Sequence, residues 1–397
     1  MSIPGLLALS CCVILPSDVL AQDASPQTEA SPPEASPPEP SQPEPSQPEP
    51  SQPEPSQPEP SQPEPSQPEP SQHLILVIGA PGTEEYATNF RTWAGRWEEA
   101  AQRAGISCTV IGKSNSENTD TATPTGTTEP TTVPSVTPAI APAITPEEAD
   151  AATLVKAMEA QGSAKSSEPL WVVYLGHGTF DGRTASWNLR GPDITAEQLA
   201  IAGQKLQRPL AMVVCSSCSA PFINALSAPD RIVVTGTKDG NQIQYSRFGD
   251  AMSTAISTLE ADINRDGQTS LLEAWLFASR RTAEFYKTEG RLATEHSLLD
   301  DNGDGKGVRS ELYVGDRVVD NAETPDVIDG RNASRWHFIR SDEERRLSPE
   351  QREKREALEG QLEDLRKLKS SLPEDEYLTL LENIAVKLSE IYEAAGK

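Results

Sequence analysis

An α/β fold, a three-layer sandwich on a mostly parallel sheet followed by a helical hairpin, is what the sequence predicts. Two patterns carry the prediction. Residues 73–79, 171–176, 208–214 and 231–235 are short apolar runs bounded by Gly, Pro or polar residues, and continuous apolar runs of this length mark strands buried on both faces. Stretches with helical spacing and helix-opening signals separate them. Strands that alternate with helices build parallel sheets.

The elements follow in order. After the 73–79 strand, residues 86–104 place Phe90, Trp93 and Trp97 on one helical face, and Gly105 ends the helix. Residues 106–111 read as a second strand, with Cys108 inside it as a small core residue. Residues 113–144 are rich in Thr, Pro and Ser and nearly free of large apolar side chains, so they read as an unstructured insertion. Thr145, Pro146 and Glu148 then open a helix with a capping hydroxyl, a proline in the first turn and an acid three residues on. Thr195 and Gln198 open another in the same way. Residues 180–190, polar around Gly182, suggest a hairpin after the 171–176 strand, and residues 221–226 and 245–259 supply two more helices.

At the C-terminal end Ser348 and Gln351 cap a helix with a Leu358, Leu362, Leu365 and Leu372 stripe. Pro373 breaks it. Ser371 and Glu374 open a second helix with Leu378, Leu381, Ala385 and Leu388 on one face. The pair is either a hairpin packed on its own domain or a dimerising coil, which would give self-association.

Composition bounds the rest. Of 397 residues 35 are Pro and only 5% are aromatic, so much of the chain builds no core. The formal net charge is −26, which repels phosphate backbones and sets nucleic acid aside as a partner. Residues 3–20 are apolar and end in Val19, Leu20 and Ala21, a small-residue pattern that reads as a secretory signal peptide and implies an exported protein. An uncleaved anchor, or a lipid on Cys11 or Cys12, stays open. Six tandem Ser-Gln-Pro-Glu-Pro repeats fill residues 41–70. Proline at this density forbids helix and sheet ladders and favours an extended stalk, which could hold the domain near a cell wall or surface. The expected organisation is a signal peptide (1–21), a stalk (22–72), an α/β domain (73–260), a loop-rich segment (261–315), a linker (316–347) and the helical hairpin (348–397).

The strand ends carry the chemistry. The 171–176 strand runs into His177 and Gly178. About forty residues later the 208–214 strand runs into Cys215, Ser216, Ser217, Cys218 and Ser219. Reactive groups of open α/β sheets collect beyond the carboxyl ends of strands, so a base and a nucleophile could share one crevice there. The pair resembles the caspase/legumain superfamily of cysteine endopeptidases, in which strand-His-Gly and a later strand-x-Ala-Cys supply a catalytic dyad. The resemblance covers roughly residues 73–312 and implies a caspase-like sandwich. It also implies hydrolysis of peptide bonds, with His177 as base and Gly178 offering its N–H to an oxyanion. In that frame Ser217 stands where the nucleophilic Cys belongs, flanked by Cys215 and Cys218. Asp181 and Asp239 are candidates for an orienting acid. His73, His296 and His337 lack such a context and read as packing or surface residues.

Two acidic loops point to calcium. Asp262, Asn264, Asp266, Gly267, Gln268, Ser270 and Glu273 match a twelve-residue EF-hand loop, in which alternating oxygens surround a hard cation at about 2.4 Å, the glycine permits the turn and the last glutamate closes the shell. A helix over 274–286 follows, as that motif requires. Asp300, Asn302, Asp304, Lys306 (through its carbonyl) and Glu311 repeat the pattern, with Gly305 at the turn but no clear exit helix. Three function classes remain open at this point: a cysteine endopeptidase, a non-catalytic relative whose crevice binds peptide or protein, and a thiol–disulfide module using Cys215 and Cys218.

Overall fold

The structure, a computed structural model, describes residues 71–113, 149–162, 166–319 and 328–396. The signal expectation, the stalk up to residue 70, the insertion from residue 114 and the Thr145 cap lie outside the described residues, whereas Gln72, expected in the stalk, is buried in the domain. The central sheet contains β1 (His73–Ile78), β2 (Ser107–Ile111), β3 (Leu170–Leu175), β7 (Leu210–Cys215), β8 (Arg231–Thr235) and β9 (Leu298–Asp300) in the order β2-β1-β3-β7-β8-β9. All neighbours run parallel except β9, which returns antiparallel on β8. β3 and β7 are buried at all six positions. That is why the sequence reads there as unbroken apolar runs and not as an alternation.

Successive side chains leave a strand on opposite faces, so each strand feeds two cores. Leu74, Leu76, Trp171, Val173, Ala211 and Val213 face a layer made by α1 (Glu84–Ala104), α5 (Phe248–Ser257) and α6 (Leu271–Thr288). Ile75, Val77, Val172, Tyr174, Met212 and Val214 face α2 (Asp150–Gly162), α3 (Ala196–Gly203) and α4 (Pro221–Leu226). The three-layer sandwich is thus present. Local signals hold where they fall: Thr83 caps α1, Gly105 ends it at φ 70°, and reciprocal capping boxes open α3 and α6. The hairpin after β3 forms from β4 (Gly178–Phe180) and β5 (Ala185–Trp187), joined by β6 (Ile194–Thr195).

Several expectations are corrected. Cys108 is exposed and not a core residue, because β2 is the edge strand and its outer half has no covering layer. The helix after β8 begins at Phe248 and not at 245. Buried Glu295 takes the Arg247 and Phe248 N–H groups and the Ser246 hydroxyl, which fixes the preceding residues as a loop. The expected linker is packed where it is described. Phe338 is buried between Trp97 and Trp171 in edge contacts at 5.1 and 5.2 Å, and Gln72 joins the Trp171 indole to the His337 carbonyl.

The hairpin of α8 (Pro349–Lys367) and α9 (Glu374–Ala395) forms, with Ser348 in a capping box. Leu365 is buried and Leu358, Leu362 and Leu372 are half-buried, as the first stripe predicts. On α9 the inner face is Tyr377, Leu381, Ile384 and Leu388, while Leu378 and Ala385 are exposed. Leu381 and Leu388 keep their expected places, while Tyr377 and Ile384 replace Leu378 and Ala385, and the helix starts after Pro373 and not at Ser371. Glu168, just before β3, meets Arg352 of α8 and Arg340 of the segment before it, and the buried Arg355–Glu344 pair ties α8 to the short α7 (Asp342–Arg346).

Phe338→Ala tests the packing of this segment. Truncating a fully buried phenylalanine should cost about 3–5 kcal/mol, read as a lower denaturation midpoint in urea. A linker residue would change it by less than about 0.5 kcal/mol.

Candidate functional site

β1, β3, β7 and β8 all end at one edge of the sheet. The register pairs Leu175 with Cys215, and two residues beyond that pair stand His177 and Ser217. The strand ends approach closely here. A Cβ on Gly178 would lie 2.4 Å from the Ser217 carbonyl oxygen and 2.9 Å from Ser216 Oγ, so no larger residue fits.

Ser217 is 4% exposed, and its hydroxyl bonds both ways to Gly178. Oγ donates to the Gly178 carbonyl at 3.0 Å and accepts the Gly178 N–H at 3.3 Å. The proton of the serine is therefore directed at a main-chain oxygen, and the N–H that could face an oxyanion already has a partner. Among the described residues no hydrogen bond joins Ser217 to His177.

His177 is held from the other side. Its Nε2 lies 3.2 Å from the Pro81 carbonyl oxygen. A carbonyl only accepts, so Nε2 carries the proton and Nδ1 is the basic nitrogen. The ring stands edge-on to Tyr86 at 4.9 Å and Phe90 at 5.3 Å, with Tyr245 at 6.1 Å and stacked on Tyr86. Asn89 anchors the Tyr245 hydroxyl at 3.1 Å. Burial in this aromatic nest lowers the imidazole pKa below 6.5, with the Pro81 carbonyl pulling the other way. Neither candidate acid reaches the ring: Asp181 caps its own turn at Arg183 and Thr184, and Asp239 accepts from Asn241.

The two neighbouring thiols are free but shielded. Cys215 is fully buried in the core below Trp93 and Gly249. Burial pushes its pKa far up, with Glu295 adding to the effect. Cys218 adopts a left-handed backbone, φ 53°, with its N–H on the Gln242 carbonyl at 3.0 Å. It is 2% exposed, and burial raises its pKa as well. Reactive thiols need the opposite environment, partly exposed and electropositive. A groove of about 680 Å³ runs past Phe180, Arg183, Ala220, Pro221, Lys238 and Asp239, beyond the hairpin that follows Gly178. His177 does not line it.

In the first acidic loop Asp262 accepts the N–H groups of Asp266 and Gly267, and Asn264 accepts that of Asp266. Gln268 turns its side-chain oxygen to the Ser341 N–H. Glu273 is 1% exposed; it takes the Ile263 and Asn264 N–H groups with one oxygen and the Ser270 N–H and hydroxyl with the other. In the second loop Asp300 is buried at the end of β9, whereas Glu311 is turned outward onto Arg309 at 2.6 Å. A single 3-10 turn, Ser310–Leu312, takes the place of an exit helix. Among the described residues no three His, Cys, Asp or Glu side chains are gathered to metal-bonding distance. The remaining histidines have structural partners: His73 meets Thr109 Oγ1 at 3.1 Å, His296 meets Gln242 at 2.7 Å, and His337 bridges Ser270.

Sequence reasoning did not find the Pro81 carbonyl, since a main-chain oxygen carries no residue signature. Tyr86 lies on the predicted first helix, but Tyr245 comes from a loop, so no local spacing links them.

No protein-family model matches the chain, and no curated protein matches it. Among solved structures, it is similar to the initiator caspase Dronc of Drosophila (11% identity over 65% of this chain and 85% of that one, TM-score 0.35). It is also similar to caspase-1 of Spodoptera frugiperda (10% identity over 61% of this chain and 90% of that one, TM-score 0.34).

His177 should titrate below 6.5 when followed by its ring-proton NMR shift. It is neutral in both folded and unfolded chains above that pH. As pH falls through 6.5 the unfolded chain binds the proton first, so this group withdraws stability on acidification. Phe90→Ala, which admits water to the ring, should move the midpoint back up toward 6.5. An unchanged midpoint would disprove the role of the nest.

Proposed function

We propose that this chain is a caspase/legumain-like domain whose crevice binds peptide or protein ligands and has little or no peptidase activity. The observation that carries the reading is the Ser217 hydroxyl, bonded both ways to Gly178 and not to His177. A serine nucleophile needs an adjacent base to take its proton and a third group to orient that base. His177 has only a carbonyl behind it, and its basic nitrogen has no bonded hydroxyl. The endopeptidase alternative would have to recruit Cys218, which lies buried in a left-handed turn. A thiol–disulfide role would need an accessible Cys215, and that residue is in the core. The apolar stretch and stalk read from residues 1–72 fit an exported domain held off a surface.

Calcium at the 262–273 loop belongs to the same reading. Its support is the EF-hand spacing, together with Gly267 at φ 83° and the buried Glu273 at the mouth of α6.

Two measurements test these statements. Incubation with an electrophilic peptide probe should leave wild type unlabelled, since Cys215 and Cys218 are both buried. Efficient wild-type cleavage that disappears in Cys218→Ala would instead make Cys218 the nucleophile. For the loop, calcium should raise the melting temperature, by an amount equivalent to about 2.7 kcal/mol at a hundredfold excess over Kd. Glu273→Gln should remove most of that rise, and an equal rise in the variant would reduce Glu273 to a helix cap.

A further inference from the structure

The two acidic loops are built alike up to their closing carboxylate. In the first, Asn264 Oδ1 accepts the Asp266 N–H at 2.9 Å and Asp266 Oδ1 the Gln268 N–H at 3.1 Å. In the second, Asn302 Oδ1 accepts the Asp304 N–H and Asp304 Oδ1 the Lys306 N–H, both at 2.8 Å. Left-handed residues fall at the same two places, Arg265 and Gly267 in one loop and Gly303 and Gly305 in the other.

The loops part at the last ligand. Glu273 Oε1 accepts the N–H groups of the second and third loop residues, Ile263 at 2.9 Å and Asn264 at 3.1 Å. The matching amides of the second loop, Asp301 and Asn302, are taken at 2.9 and 3.2 Å by Oδ1 of Asp329. Asp329 is buried, 4% exposed, and is fixed through its own carbonyl by the Tyr313 hydroxyl. The residue that sequence spacing assigns to this place, Glu311, has a side chain 60% exposed.

An independent observation points to a ligand. Asp300, the first residue of the loop, is fully buried, and its Oδ1 meets Ser227 Oγ and the Gly303 N–H. Its Oδ2 is buried with no hydrogen-bond partner. A buried carboxylate oxygen without a donor is unfavourable unless a cation serves it. Among the described residues no Lys or Arg pairs with Asp300 or Asp329.

We propose that the second loop is a calcium site closed from outside the motif by Asp329, with Asp300, Asn302 and Asp304 giving side-chain oxygens and Lys306 its carbonyl. As they stand, the acids are not gathered to metal-bonding distance. Calcium takes six to eight oxygens in irregular shells and suits such a set, whereas magnesium demands a near-ideal octahedron. The site is separate from the His177 crevice, and the proposal does not depend on what that crevice binds.

Calorimetric titration of the full chain with calcium chloride compares wild type, Asp329→Asn and Glu311→Gln. Glu311→Gln should bind as many ions as wild type. Asp329→Asn should bind one fewer, or hold one at least tenfold more weakly. Melting curves without calcium guard against a folding defect. Asn keeps an acceptor for the Asp301 and Asn302 amides, so Asp329→Asn should melt no lower than wild type, and only its calcium-induced rise should shrink. The proposal is overturned if Glu311→Gln loses the ion, if Asp329→Asn binds calcium as wild type does, or if Asp329→Asn is unfolded before calcium is added.

Discussion

The parallel register between β3 and β7 sets everything at the crevice. Pairing Leu175 with Cys215 commits Cys215 to the core and carries His177 and Ser217 out to facing strand ends. A slip of one residue would exchange the faces of every side chain in two strands that are buried throughout, which both cores forbid. Gly178 then decides how near the two ends come. Because it has no side chain, the Ser217 main chain packs against it and the Ser217 hydroxyl finds its two partners there. The same close approach directs the Ser217 hydroxyl at the main chain of Gly178.

His177 is tuned by burial, not by an acid. The Pro81 carbonyl fixes its tautomer, and burial beside the rings of Tyr86, Phe90 and Tyr245 lowers its pKa. A neutral imidazole with its basic nitrogen unbonded can accept a hydrogen bond from a bound ligand as readily as it can take a proton.

What could be read from the sequence was local or periodic. The apolar runs gave the strands, and the Thr195 and Ser348 boxes gave two helix starts, because each depends on residues within four positions of one another. The misreadings share one physical origin, contact between distant segments. Cys108 is exposed because β2 lies at an edge, and nothing within 106–111 records strand order. Phe338 lies in a short apolar stretch of the expected linker, and nothing in that stretch records that Trp97 and Trp171 bury it. Glu311 fits the loop spacing, while the matching amides are held by Asp329. In the crevice, His177, Gly178 and Ser217 stood out because each follows closely on an apolar strand. Pro81 and Tyr245 did not, because their roles arise only once the chain has folded over.

Glu168 lies just before β3, at the amino end of the sheet, and it is there that Arg340 and Arg352 fasten the C-terminal hairpin. His177 lies past the other end of the same strand. Six residues at about 3.3 Å each put roughly 20 Å of sheet between the two. The molecule thus has two poles with separate fronts. A partner gripping the outer surface of α9, where Leu378 and Val386 stand half-exposed, would leave the mouth of the crevice unobstructed.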